Sequence, residues 1–266
     1  MKKILYILIA VTLFSACTKV PITGRKQTTW ASESELMVMS EDEYRKFLAQ
    51  NKVLNNTPQS DLVKKVGNNI STSIISFFKT YQNGKYDKLI STFKWEFNTV
   101  EDKTVNAWCM PGGKVVFYTG ILPITQDEQG LAVVMGHEIA HAVAKHGNER
   151  MTQMMKAQGL GTVIGVAVSG SPQATQDIFS IAFGIGGNLN MLKHSRKHET
   201  EADKLGLVFM ALAGYDPAVS IDFWQRMAKL GGEKPPQFLS THPSDAQRVK
   251  DLQEWLPEAQ KYQKKG

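Results

Sequence analysis

The stretch His137-Glu138-Ile139-Ala140-His141 constrains this chain more than any other. Residues four apart share one face of an α-helix, so His137 and His141 can aim two imidazoles at a single point. Glu138 is turned about 100° round the axis and stands beside that point. Two imidazoles and a neighbouring carboxylate are the parts needed to hold a metal ion and to take a proton from water bound to it. Two nitrogen ligands do not complete such a site, so a third protein ligand must come from another part of the chain.

The spacing is the H-E-x-x-H pattern of zinc peptidases. Thr125-Gln126-Asp127-Glu128 reads as a capping box that opens a helix, and Gly147 as the signal that ends it. Between them Leu131, Val134, Ile139 and Val143 form an apolar face behind the histidines. The third ligand is not a histidine in H-E-x-x-H-x-x-G-x-x-H: that pattern needs Gly at 144 and His at 147, where the chain has Ala144 and Gly147, and His146 is one residue out of place. A second segment, His198-Glu199-Thr200-Glu201-Ala202-Asp203, reads as helical and places Glu199 and Asp203 on one face. One of these carboxylates can ligate while the other accepts the N–H of a ligand imidazole. Glu201 points elsewhere and is expected in solvent.

Four blocks then follow one another in a recognisable order: Asn106-Ala107-Trp108-Cys109-Met110-Pro111-Gly112-Gly113, His137 to His141, Ser195-Arg196-Lys197-His198-Glu199-Thr200-Glu201-Ala202-Asp203, and His242-Pro243-Ser244-Asp245-Ala246-Gln247-Arg248. In this the chain resembles the M48 family of zinc metallopeptidases, and within it the soluble periplasmic lipoprotein branch, over residues 60 to 250 or so. The resemblance implies an α+β, mainly helical domain of the gluzincin type, with a small β-sheet beside the active-site helix and one zinc ion per chain. It implies that His137, His141 and Glu199 are the zinc ligands, that Glu138 is the general base, and that Asp203 supports a ligand imidazole. It implies that His242 and Arg248 face the active site, His242 either donating to the oxyanion or occupying the fourth zinc position. Asn106 and Ala107 match the block that offers a strand edge to substrate.

The flanking sequence suits that picture. Thr92–Asn98 alternates like a strand, and Lys114–Thr119 follows Pro111-Gly112-Gly113 as another. An exposed edge there would pair with an extended or unfolded polypeptide. The expected activity is endopeptidase cleavage of misfolded or misassembled cell-envelope proteins. The alternative is a non-proteolytic, chaperone-like assembly factor that binds extended chains in the same cleft, although a binding module needs no general base.

At the N-terminus Lys2-Lys3 precedes an apolar run from Ile4 to Phe14 and then Ser15-Ala16-Cys17. This reads as a secretory signal with a lipobox-like end, too short to span a bilayer. It predicts a signal peptide over 1–16, lipidation at Cys17, a tether over 17–33 and the peptidase domain over 34–266. The predicted location is a bacterial envelope, lipid-anchored to the membrane and facing the periplasm, with the outer membrane favoured. With Cys17 lipidated, Cys109 has no disulfide partner and reads as a small buried hydrophobe. The formal charge is +6, falling to +4 without Lys2 and Lys3, and both signs are interspersed, which argues against nucleic acid as partner. At 42% hydrophobic residues the chain can bury one sizeable core.

In coarse order, Glu35–Val53 and Asp61–Tyr81 read as helices around Asn55-Asn56-Thr57-Pro58, followed by the small sheet and the motif helix. Residues 159–187 are glycine-rich and read as a pair of short buried helices, with a lid over the cleft as the other possibility. Helices over Pro217–Leu230 and from Ser244 complete the domain. The sequence leaves the oligomeric state open.

Overall fold

The structure, a computed structural model, describes residues 16–157, 172–183, 195–230, 236–242 and 246–263. It begins with a hairpin of β1 (Ala16–Lys19) and β2 (Lys26–Thr29) in antiparallel register. Then come α1 (Glu33–Gln50), β3 (Val53–Leu54), α2 (Pro58–Thr80), α3 (Asp87–Ser91), β4 (Glu96–Val100), β5 (Ala107–Met110) and β6 (Lys114–Tyr118). A short 3-10 turn leads to α4 (Leu122–Thr125), α5 (Glu128–Val143) and α6 (His146–Ala157). The remaining described helices are α7 (Pro172–Phe183), α8 (Arg196–Leu212), α9 (Val219–Lys229), α10 (Gln237–Thr241) and α11 (Ala246–Gln260). No helix among the described residues is long and apolar enough to cross a membrane.

Local chemistry sets most of these boundaries. Ser32 and Glu35 form a reciprocal capping box on α1, and Thr57 with Ser60 forms another on α2, whose first residue is Pro58. Sequence reading started both helices two or three residues late because it followed the apolar period rather than the caps. For α5 it chose the wrong cap: Thr125 ends α4, and the Asp127 carboxylate accepts the Gly130 N–H. The helix also stops before Gly147, at Ala144, because Lys145 takes a positive φ of 58° and α6 starts at once. Gly147 instead packs against Phe183, whose ring leaves no room for a Cβ.

The main sheet has the order β3-β4-β6-β5, with β4 and β6 parallel and the other neighbours antiparallel. The β5–β6 turn runs through Gly112 and Gly113 at φ of 81° and 86°, a conformation that glycine adopts without strain. Their carbonyls accept the N–H groups of Lys94 and Glu96, so the chain joins the sheet two residues before β4 formally begins. This order leaves β5 at the edge of the sheet, packed beside α5.

Helix α5 is the centre of the fold. Leu131, Ala132, Val134, Met135, Ile139, Ala140 and Val143 are all fully buried, so the helix is covered on every side rather than on one stripe. It packs on α2, α9 and, most extensively, α8. At the α5–α8 crossing Gly136 faces Gly206: a Cβ on Gly136 would stand 3.0 Å from the Gly206 carbonyl oxygen, and one on Gly206 3.2 Å from the His137 nitrogen. Two missing side chains let the backbones approach closely, which brings the acidic start of α8 within reach of the α5 histidines.

Residues 17–33, expected as a tether, are folded. Cys17 sits in β1 opposite Thr28, Val20 is fully buried, and Gln27 and Thr29 are buried as well. The four-residue strands are too short for alternation to be read from sequence, and Arg25 ties the hairpin to residues far along the chain. Of the glycine-rich region, Leu160–Val168 lies outside the described residues. Its second half contains α7, whose Ile178 and Phe179 are buried against Met151 and Met155 of α6.

Candidate active site

Helix α5 presents His137 and His141 one turn apart, with their Nε2 atoms 3.0 Å from each other. Ser195 caps α8 by accepting the His198 N–H, which sets Glu199 in the first turn, where the positive end of the helix favours a carboxylate. Glu199 reaches both histidines: Oε2 is 3.4 Å from His137 Nε2 and Oε1 is 3.3 Å from His141 Nε2. One turn further on, Asp203 Oδ1 lies 2.9 Å from His137 Nδ1 and accepts its proton. The two carboxylates that helical spacing alone left interchangeable are thereby distinguished, since Glu199 meets the nitrogens that face the cleft and Asp203 meets the far side of one ring.

His242, at the end of α10, joins from above. Its Nδ1 is 3.1 Å from His137 Nε2 and 3.0 Å from Glu199 Oε1, and its Nε2 is 3.4 Å from Glu138 Oε1. The donor atoms of His137, His141, Glu199 and His242 all lie within 4.8 Å of one another, and all four residues are buried. Arg248 of α11 is buried behind them. It donates to Asp203 Oδ1 at 2.7 Å and to the His242 carbonyl at 3.4 Å, stands 3.2 Å from Glu199 Oε2, and stacks over Trp224. Pro243, Ser244 and Asp245 of this block lie outside the described residues.

This donor set fits zinc. Imidazole and carboxylate are its usual nitrogen and oxygen ligands, and Glu138 Oε1 is buried without a hydrogen bond. A buried carboxylate oxygen that has His242 Nε2 near it at 3.4 Å but makes no hydrogen bond is a costly arrangement unless it serves a bound water or substrate. Burial raises the Glu138 carboxyl above its ordinary value, which suits a group that must take up and release a proton. Burial lowers His137, but Glu199 and Asp203 outweigh it and hold the imidazole up at about 9. Burial drives His141 well below its ordinary value. Burial would raise Glu199, yet His242 and His137 hold it well below the usual carboxylate range.

Strand β5 forms one wall of the cleft through Asn106, Ala107, Trp108 and Cys109, with Glu138 and His141 on the floor and Asn148 and Arg150 of α6 opposite. The Tyr118 N–H donates to the Asn106 carbonyl across to β6. Antiparallel alternation therefore turns the N–H and C=O of Ala107 and Cys109 toward the open edge. The Asn106 side chain accepts the Ala107 N–H at 3.0 Å. Cys109 is half-buried in that wall, more exposed than sequence suggested, and is not among the clustered ligands.

One expectation about a neighbouring residue is overturned, and a further histidine joins it. Glu201 is buried, not solvated: it accepts from Thr23 Oγ1 at 2.5 Å, Arg25 Nε at 2.6 Å and His146 Nε2 at 2.9 Å. Burial would raise its carboxyl, but these partners hold it below the ordinary value. His146 is fully buried, with Nδ1 2.8 Å from His141 Nδ1 and its ring stacked on His198 at 4.4 Å. Burial pushes His146 down to about 4. Sequence gave one hint of this group: His146 lies five residues past His141, a position that a ligand motif leaves unexplained.

Comparison with known proteins agrees with this geometry. Residues 87–256 match the model of Peptidase family M48. A "Mitochondrial metalloendopeptidase OMA1" of Schizosaccharomyces pombe is 40% identical over 64% of this chain and 49% of its own length. Its namesake in Saccharomyces cerevisiae is 33% identical over 93% of this chain and 73% of its own. A "Putative beta-barrel assembly-enhancing protease" of Vibrio cholerae is 31% identical over 59% of this chain and 34% of its own. The chain thus spans about half the length, or less, of several relatives it matches. These names also correct the location expected from the N-terminus: the relatives from S. pombe, S. cerevisiae, Arabidopsis thaliana and Homo sapiens are all mitochondrial by name, so the reading as a bacterial periplasmic protein does not stand. With three of the four ordered sequence blocks meeting in one buried cluster, the fourth lining the cleft beside it, and more than half of its length matched, this chain is a member of Peptidase family M48.

Proposed function

We propose that this chain is a zinc endopeptidase that hydrolyses peptide bonds of extended or misfolded polypeptides. The observation that carries the reading is the convergence of His137, His141 and Glu199 on one point, with a Glu138 carboxylate oxygen that makes no hydrogen bond beside it. Zinc, when bound by those three side chains, would supply the Lewis acid that acidifies water and polarises the scissile carbonyl. Glu138 takes the proton of the attacking water and delivers it to the departing amine. Asp203 holds the His137 ring with its lone pair toward the cleft. His242, on the cleft, offers a ring N–H to the oxygen that becomes negative, and Arg248 behind the cluster adds its guanidinium charge through Glu199 and Asp203.

The unpaired edge of β5, where the Ala107 carbonyl and the Cys109 backbone groups turn away from β6, supports substrate binding as an added strand, antiparallel or parallel to β5. Backbone pairing of that kind is indifferent to side chains, which suits unfolded polypeptide as the substrate class. An intact general base also favours catalysis over a purely chaperone-like role.

The test is elemental analysis of zinc per chain together with cleavage of unfolded casein, for the wild type and Glu138→Gln. One zinc in both proteins, with cleavage confined to the wild type and abolished by a chelator, is the expected result. Normal cleavage by the variant would remove Glu138 from the mechanism, and absence of zinc from both would remove the ligand set.

A further inference from the structure

We infer that His146 and Glu201, clamped by Arg25 of the N-terminal hairpin, are positioning residues that fix which nitrogen of His141 faces the metal. The inference rests on the zinc-ligand reading above.

The argument follows the protons. Glu201 Oε2 receives Arg25 Nε at 2.6 Å and His146 Nε2 at 2.9 Å, while Oε1 receives the Thr23 hydroxyl at 2.5 Å. An ionised carboxylate only accepts, so His146 must carry its proton on Nε2. The Nδ1 of a neutral His146 is then an acceptor, and it lies 2.8 Å from His141 Nδ1. His141 must in turn carry its proton on Nδ1, which leaves the lone pair on Nε2, the atom that faces His137 and Glu199 at 3.0 and 3.3 Å.

The two ligand imidazoles are thus oriented by different devices. His137 meets a carboxylate directly, in Asp203. His141 meets one through an intervening imidazole, because Glu201 projects from a different face of α8 than Glu199 and Asp203 and is too far round the helix to reach it. The relay is anchored at its far end. Arg25 grips Glu149 through a two-pronged pair at 2.8 and 3.0 Å while its Nε holds Glu201, and Glu149 accepts from His198, on whose ring His146 is stacked. Every member of the relay is buried or nearly so, which makes its directionality rigid.

The test measures zinc affinity by chelator competition on the full chain, with thermal melting of the metal-free protein alongside. His146→Phe keeps the stacked ring and removes the acceptor; His146→Gln returns an acceptor; Arg25→Met releases Glu201. The expected result is a loss of about 10–100-fold in zinc affinity for the Phe variant, the range typical of groups that orient metal ligands. The Gln variant recovers most of that loss, and Arg25→Met gives a smaller one. Wild-type affinity in His146→Phe would overturn the inference, as would equal weakening of the Phe and Gln variants in step with their melting temperatures, which would mark a merely structural role. Failure of the wild type itself to bind zinc would sink the site reading instead, so the two failures are distinguishable.

Discussion

A Cβ placed on Gly206 would stand 3.2 Å from the backbone nitrogen of His137. The contact is backbone to backbone, so the only way to make room is to move α8 off α5, and Glu199 and Asp203 travel with α8. Gly206→Ala gains roughly 1 kcal/mol of helix propensity but incurs overpacking of about 1–3 kcal/mol. The expected outcome is a modest net loss of metal-free stability and a clear loss of zinc affinity. Chelator competition checks it, and an unchanged affinity would show that the crossing distance does not set the ligand geometry.

Arg248 is buried between Asp203 and Glu199. Replacing it by Met keeps packing against Trp224 and leaves two buried carboxylates without their cation, a defect that costs about 3–5 kcal/mol. Denaturant unfolding of the metal-free protein should show that loss. Saturating zinc should narrow the gap, because the ion compensates Glu199 and stabilises the folded state by mass action. A gap of equal size with and without zinc would mean that Arg248 acts on packing alone.

Stability should fall in two stages on the acid side. His146 lies near 4 in the folded protein against an ordinary 6.5, so the unfolded chain takes a proton that the folded chain refuses. Its contribution, on the order of 3 kcal/mol, is complete above pH 6.5 and is lost as pH falls toward 4. Glu149 is lowered to about 2: burial opposes the shift, and the bonds from His198 and Arg25 outweigh it. Its contribution is present above pH 4.5 and disappears as pH falls toward 2. Melting curves of metal-free His146→Gln should be flatter in the upper window, and those of Glu149→Gln in the lower. Parallel slopes in wild type and variants would contradict the assignment.

Strand addition at β5 predicts a sensitivity to the substrate backbone. A peptide N-methylated on a residue that pairs with Ala107 or Cys109 loses one hydrogen bond and strands a partner, worth about 1–3 kcal/mol. The expected fall in kcat/KM is roughly tenfold or more for methyl groups at alternate positions and little for those between. Uniform tolerance would place the substrate elsewhere in the cleft.

What could be read from the sequence was whatever repeats locally. The i, i+4 spacing of His137 and His141, and of Glu199 and Asp203, translates into geometry without knowledge of the rest of the chain. The strand at Lys114 and the helices around it were also visible, with errors at the helix ends where a capping side chain outranked the apolar period, whereas the edge at Ala107 came only from the family resemblance. The relay behind His141 was invisible for the opposite reason. Glu201 looks like a solvated acid until Arg25, 176 residues earlier, is placed against it. Likewise Gly136 and Gly206 carry no signal in isolation, and their importance exists only at the crossing of two helices.

The hairpin also bears on where this protein can be cut. The match to the family model begins at residue 87, and a boundary drawn there, or at the start of α1, looks safe because the four signature blocks all remain. Such a truncation would discard Thr23 and Arg25 and leave Glu201 and Glu149 without the cation that joins them. The fragment would retain every ligand and yet hold its metal poorly. The physical edge of the domain is therefore the one that includes the hairpin carrying Thr23 and Arg25.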